Sequence, residues 1–216
     1  MSEATAKPVD EPRTLGGFPS PPATTPQGEA GLRPGGGRLA PEPVRVGAVG
    51  MWAFLATDAM GFAGLFIAYG VLRVGADAWP EPGPHLALRP AAAMTFALLV
   101  SSLTMALASG APSRRARLAW LFLTVALGSA FLAAAGVEYA DLAAAGLGFS
   151  SSLPVSMFYA LTGYHALHVL AGIVMLVFML GGRVSRRTLK VASLYWHFVD
   201  LAWMPIFTFV YLLPPS

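Results

Sequence analysis

PVSMFYALTGYHALHVLAGIVMLVFML, residues 154–180, is the stretch that decides the fold. No Lys, Arg, Asp or Glu interrupts it. As a helix it would rise about 40 Å, more than the roughly 30 Å of hydrocarbon in a bilayer. A barrel strand needs only about ten residues and alternates its polarity, which this stretch does not do. Working outward, four more apolar runs of comparable length lie at 46–72, 91–109, 118–140 and 191–213. These runs predict an all-α, polytopic membrane protein with five transmembrane helices in a bundle. Composition agrees. Of 216 residues, 56% are hydrophobic and 12% charged, and the mean hydropathy is +0.62. A soluble domain carries about 25% charged residues, so a soluble enzyme and a disordered protein are both excluded. The segments between runs are too short to hold a core of their own, so any function must sit within or between the helices. There is no cysteine. That removes a disulfide framework, a thiolate zinc site, an iron–sulfur cluster and a cysteine nucleophile.

Residues 1–45 have a different composition. They hold nine of the 18 prolines and the run Pro34-Gly35-Gly36-Gly37, with acidic and basic residues in balance. No periodic apolar pattern and no signal-peptide core is present. They read as a disordered Pro/Gly-rich tail preceding a five-helix domain at 46–213. Orientation follows from the loops. Arg114, Arg115 and Arg117 fall in the second loop, and Arg183, Arg186, Arg187 and Lys190 in the fourth, with no acid in either. The positive-inside rule places both loops, and hence the N-terminus, in the cytoplasm, and the C-terminus outside. A net charge of +3 this localised points away from nucleic acid.

No apolar run contains Lys or Arg, yet the runs contain Asp58, Glu138, Asp200, His165, His168 and His197. An acid at the bilayer centre costs about 2.5–3.5 kcal/mol on insertion scales, so each must find a compensating environment. Asp58, the His165/His168 pair and the His197/Asp200 pair all fall near the middle of their runs. Each pair is spaced i, i+3, which makes its members neighbours on a helix surface. The expectation is one buried polar network of Asp58, His165, His168, His197 and Asp200, with Glu138 as a polar anchor nearer a helix end. In the first run Ala53, Thr57, Gly61, Gly64 and Ala68 form a stripe of small residues that admits close helix approach. Trp196 and Trp203 read as packing or lipid contacts, and Pro205 is expected to bend the last helix.

Several segments resemble one family. YHALHVLAGIVML (164–176) is similar to the FHGLHV-type stretch of subunit III of haem–copper oxidases, the cytochrome c oxidase polypeptide III family. YWHFVDLAW (195–203) resembles that family's last-helix motif very closely. MWAFLATDAMGFAGLFIAYGVLR (51–73) resembles its first conserved helix, with Asp58 where many members have Glu. EYADL (138–142) and WPEPG (79–83) also fit, and the likeness runs in order from about residue 46 to 213. Ala166 stands where Gly is common between the paired histidines, and LAAAGVEY lacks the Gln often found before Glu-Tyr.

The likeness is to the short, five-helix form of the family. It implies a non-redox subunit with no haem, copper or catalytic residue of its own. Such a subunit packs on catalytic subunit I, beside subunit II, where haem and copper would lie. It binds phospholipid in a cleft, supports proton uptake during oxygen reduction and protects the active site in aerobic electron transport. Enzyme activity would then belong to the cytochrome c or quinol oxidase complex, not to this chain alone. By matching motifs, Asp58 is the buried carboxylate, His165, His168, His197 and Asp200 its network, and Glu138 an anchor. The alternatives are an accessory subunit of a nitric-oxide reductase of the same family and a b-type cytochrome membrane anchor. In the latter, His197 would face His165 or His168 across a haem. A proton-coupled transporter using Asp58 and Asp200 is a further possibility, which the lack of an inverted repeat weakens.

Overall fold

A computed structural model describes residues 43–76, 88–182 and 185–213. Five helices follow one another: α1 (Pro43–Val74), α2 (Leu88–Gly110), α3 (Arg114–Ala144), α4 (Leu153–Gly181) and α5 (Arg186–Phe207). A single π-helical turn, Thr208–Leu212, continues from α5. Among the described residues there is no strand. Of the expected tail, residues 1–42 lie outside the described residues, and 43–45 belong to α1.

Local chemistry explains the helix ends. Ser113 caps α3 by accepting the Ala116 N–H, and Ser185 caps α5 by accepting the Thr188 N–H. Pro154 sits in the first turn of α4, where its missing N–H leaves no gap. Gly146 has φ +78, a left-handed conformation that stops the chain after α3. Three residues, 111–113, separate α2 from α3, and these two helices form a close antiparallel hairpin.

Four helices are long and apolar enough to cross a membrane: α1 from Gly47, α2, α3 and α4. The protein is therefore a polytopic integral membrane protein. The fifth apolar run, expected at 191–213, differs from that expectation. Its helix begins at Arg186, ends at Phe207 and is the least apolar of the five, so it falls outside the group of self-evident spans. The reason is its place in the bundle. α5 packs against α1, α2 and α4, and buries Leu189, Trp196, Val199, Trp203 and Ile206. A helix enclosed by its neighbours has little lipid-facing surface to keep apolar.

Two tryptophans fasten α5. Trp196 Nε1 donates to Ser101 Oγ over 3.0 Å, and Trp203 Nε1 donates to Thr95 Oγ1 over 2.9 Å. Each hydroxyl passes its own proton to an α2 carbonyl, Leu98 or Ala91. Every polar atom in these two contacts is thereby paired, as hydrocarbon surroundings demand. The Trp196 ring lies between two glycines. A methyl group at Gly128 of α3 would come within 2.8 Å of it, and one at Gly172 of α4 within 2.9 Å.

Pro205 acts just beyond its own position. It has no N–H, so the Leu201 carbonyl loses its usual partner. Three residues on, the backbone widens into the π turn, closed by Leu213 N–H to Thr208 C=O at 3.0 Å. The neighbouring Phe209 carbonyl is met from α1. Tyr69 Oη donates to it over 3.1 Å and Arg73 over 3.2 Å.

Candidate functional site

The small-residue stripe of α1 is mostly exposed, with Ala53, Thr57 and Gly64 open, while Gly61 lies against the Tyr164 hydroxyl of α4. Asp58, beside the stripe, turns inward toward α4. His168 Nε2 lies 3.0 Å from Asp58 Oδ1, and the two side chains are only 14% and 9% exposed. Tyr164 Oη donates to the same oxygen over 3.1 Å. His168 Nδ1 lies 2.7 Å from the Tyr164 carbonyl, one turn back on α4.

This arrangement determines the protonation of the pair. A carbonyl can only accept, so His168 Nδ1 must carry a proton. A neutral imidazole would then aim the Nε2 lone pair at Asp58. The contact is attractive only if one further proton lies between Nε2 and Oδ1. Asp58 and His168 therefore form an overall neutral unit, whether written as acid and imidazole or as carboxylate and imidazolium. The insertion cost of a bare charge is avoided without any Lys or Arg.

The other expected residues are not joined to this pair by hydrogen bonds. His165 is completely buried, and neither of its nitrogens has a hydrogen-bond partner. Aromatic rings surround it: Trp203 at 5.0 Å between centroids, Phe131 edge-on at 5.5 Å and Phe62 at 6.4 Å. His197 turns to α2, where its Nδ1 lies 2.6 Å from Ser102 Oγ. Asp200 is buried. Ser102 stands close to it, but neither carboxyl oxygen meets a partner in hydrogen-bonding geometry. Glu138, at the far end of α3, accepts from Tyr211 Oη over 2.8 Å. The single network expected from helix spacing is thus divided into an α1–α4 pair, an α5–α2 pair, an aromatic box around His165 and the buried carboxyl of Asp200.

Several partners were not singled out from the sequence. Tyr164 and Ser102 hold the two histidines, and Tyr195 Oη donates to the His168 carbonyl over 3.0 Å. Tyr211 holds Glu138, while Ser101 and Thr95 hold the tryptophans. Hydroxyls scattered through apolar helices look like packing until their neighbours are known. Tyr164, directly preceding a histidine, was the one with a readable signal.

Among the described residues no group of three or more His, Asp or Glu side chains is placed to hold a metal ion. The family model for cytochrome c oxidase subunit III matches residues 41–214. The chain belongs to the cytochrome c oxidase subunit III family. A probable cytochrome c oxidase subunit 3 of Nocardia farcinica is 37% identical over 182 residues, covering 79% of this chain and 88% of the relative. Cytochrome c oxidase subunit 3 of Thermostichus vulcanus is 32% identical, covering 76% of this chain and 86% of its own. Cytochrome bo(3) ubiquinol oxidase subunit 3 of Pseudomonas aeruginosa is 35% identical, covering 76% and 83%. As a subunit III, the protein is an accessory component of a haem–copper oxidase, embedded in a bacterial membrane and part of respiratory electron transport. The b-type cytochrome anchor is not favoured.

Proposed function

We propose that this subunit III packs on the haem- and copper-bearing subunit I of a terminal oxidase, beside subunit II, in the bacterial cytoplasmic membrane. There it stabilises the catalytic subunit and supports proton uptake during oxygen reduction. The Asp58–His168 pair carries this reading: a buried group that holds one shared proton, held in place by Tyr164. Asp58, His165, His168, His197 and Asp200 would supply the protonatable interior, and Glu138 with Tyr211 an anchor near the outer surface. α5 would be the fifth crossing. The basic loops would then face the cytoplasm together with the N-terminus, leaving the C-terminus outside. The exposed apolar faces of α1 to α4 would take phospholipid and the partner subunits.

Purification in mild detergent tests the reading. The chain is expected to co-migrate with a large haem-bearing subunit and to show no Soret absorbance when separated from it. Stoichiometric haem on the isolated chain, or purification without any large subunit, would overturn the assignment.

A further inference from the structure

Tyr164 meets the Asp58–His168 pair twice. Its carbonyl accepts from His168 Nδ1 over 2.7 Å, which fixes the nitrogen that faces the carboxyl. Its hydroxyl donates to Asp58 Oδ1 over 3.1 Å, the same oxygen that His168 Nε2 approaches at 3.0 Å. Oδ2 is buried and has no hydrogen-bond partner. Hydrogen bonds to an ionised oxygen are roughly twice as strong as neutral ones. A phenolic O–H on Oδ1 therefore stabilises the carboxylate more than the acid, and draws the shared proton toward Nε2.

The hydroxyl reaches Asp58 only because α1 leaves room for it. A methyl group at Gly61 would lie 2.8 Å from Tyr164 Oη. Phe62 closes the other side, its ring 4.8 Å from that of Tyr164 and 5.2 Å from that of His168. The other titratable groups near the pair are His165 on α4 and Tyr195 on α5. The Tyr195 hydroxyl is engaged by the His168 carbonyl, and neither His165 nitrogen makes a hydrogen bond. Neither competes for the proton between Asp58 and His168.

We infer that Tyr164, seated in the notch left by Gly61, is a positioning residue that holds the shared proton of the Asp58–His168 pair on the imidazole. The inference deepens the proposed role of Asp58 in proton supply and takes its functional meaning from that reading. Infrared difference spectroscopy of the whole oxidase complex at neutral pH tests it. Tyr164→Phe is expected to bring up a protonated-carboxyl band that vanishes in the Tyr164→Phe/Asp58→Asn double variant. Loss of one charge-assisted hydrogen bond corresponds to a shift of about tenfold in the ratio of the two proton placements. Gly61→Ala, which displaces the hydroxyl and leaves the tyrosine in the chain, should produce the same band. Should Tyr164→Phe fail to assemble, Gly61→Ala carries the test alone. An Asp58 carboxyl band already complete in the parent complex, or one that neither variant increases, would overturn the inference. Turnover lifetime on the same samples reads the proton-supply role separately. A band that shifts while lifetime stays unchanged keeps the positioning role and removes the functional reading of Asp58.

Discussion

Asp58 and His168 solve a local problem of charge. α1 is largely open to its surroundings (Met60, two residues on, is 76% exposed), so a carboxyl there needs a partner on the next helix. Asp58→Ala removes that partner from His168 and Tyr164 together. Assembly of the complex is expected to survive, because the main packing of α5 against α2 lies elsewhere. Turnover should shorten in lifetime or slow in proton uptake, and unchanged activity over many cycles would show the residue to be only structural. The indole contacts are smaller in scale. Trp203→Phe removes one interhelical hydrogen bond, about 0.6 kcal/mol by comparison with other membrane helices, and also leaves a void where the buried indole packed against Phe131 and His165. Gly172→Ala forces a methyl group against the Trp196 ring, with an overpacking cost of about 1–3 kcal/mol. Thermal denaturation of the purified complex should show both variants less stable than the parent, and an unchanged midpoint for either would show its contact to be dispensable. The chemistry-bearing residues were legible in the sequence, because an acid or histidine in an apolar run is conspicuous. Their partners were not. A spacing of i, i+3 says that His165 and His168 share a helix surface, but not that one would meet Asp58 and the other three aromatic rings.

At the level of elements, the five helices could be read from the lengths of the apolar runs, with each observed helix extending past its run at the N-terminal end. α5 was the exception in character. Its many aromatic and aliphatic residues hide an amphipathic pattern, which becomes clear once Arg186, Arg187 and Lys190 are included in the same helix. A helix enclosed by its neighbours need not be as apolar as one facing lipid, and α5 is the least apolar of the five. The π turn was likewise hidden, although Pro205 lies three residues before it. Pro205→Ala restores an N–H to the helix interior. We expect it to straighten the backbone after position 204 and to draw the Phe209 carbonyl away from Tyr69 and Arg73. Faster hydrogen exchange in the last turn of α1 would report that release, and exchange identical to the parent would show that the turn forms without the proline.

Across the whole molecule the ends of the bundle differ. Arg186 donates to the Pro112 carbonyl over 3.2 Å and ties the two basic loops together at one end. Four of the six tyrosines, Tyr69, Tyr139, Tyr159 and Tyr211, lie toward the other, where such side chains suit a membrane–water boundary. The lack of native cysteine makes the orientation simple to measure. A thiol introduced by Arg115→Cys should react with an impermeant reagent only from the cytoplasmic side, and one introduced by Ser151→Cys only from the outside. The reverse pattern would overturn the orientation. The seating of α1 has a further consequence for how the protein is made. Its main contacts are with α4 and α5, and its end is clasped to a carbonyl at position 209. Helix α1 therefore cannot complete its contacts until α4, α5 and the π turn, all later in the chain, have been made. Until α4 is made, Asp58 has no histidine to answer it, so a chain halted before His168 would carry an uncompensated acid in its first described helix.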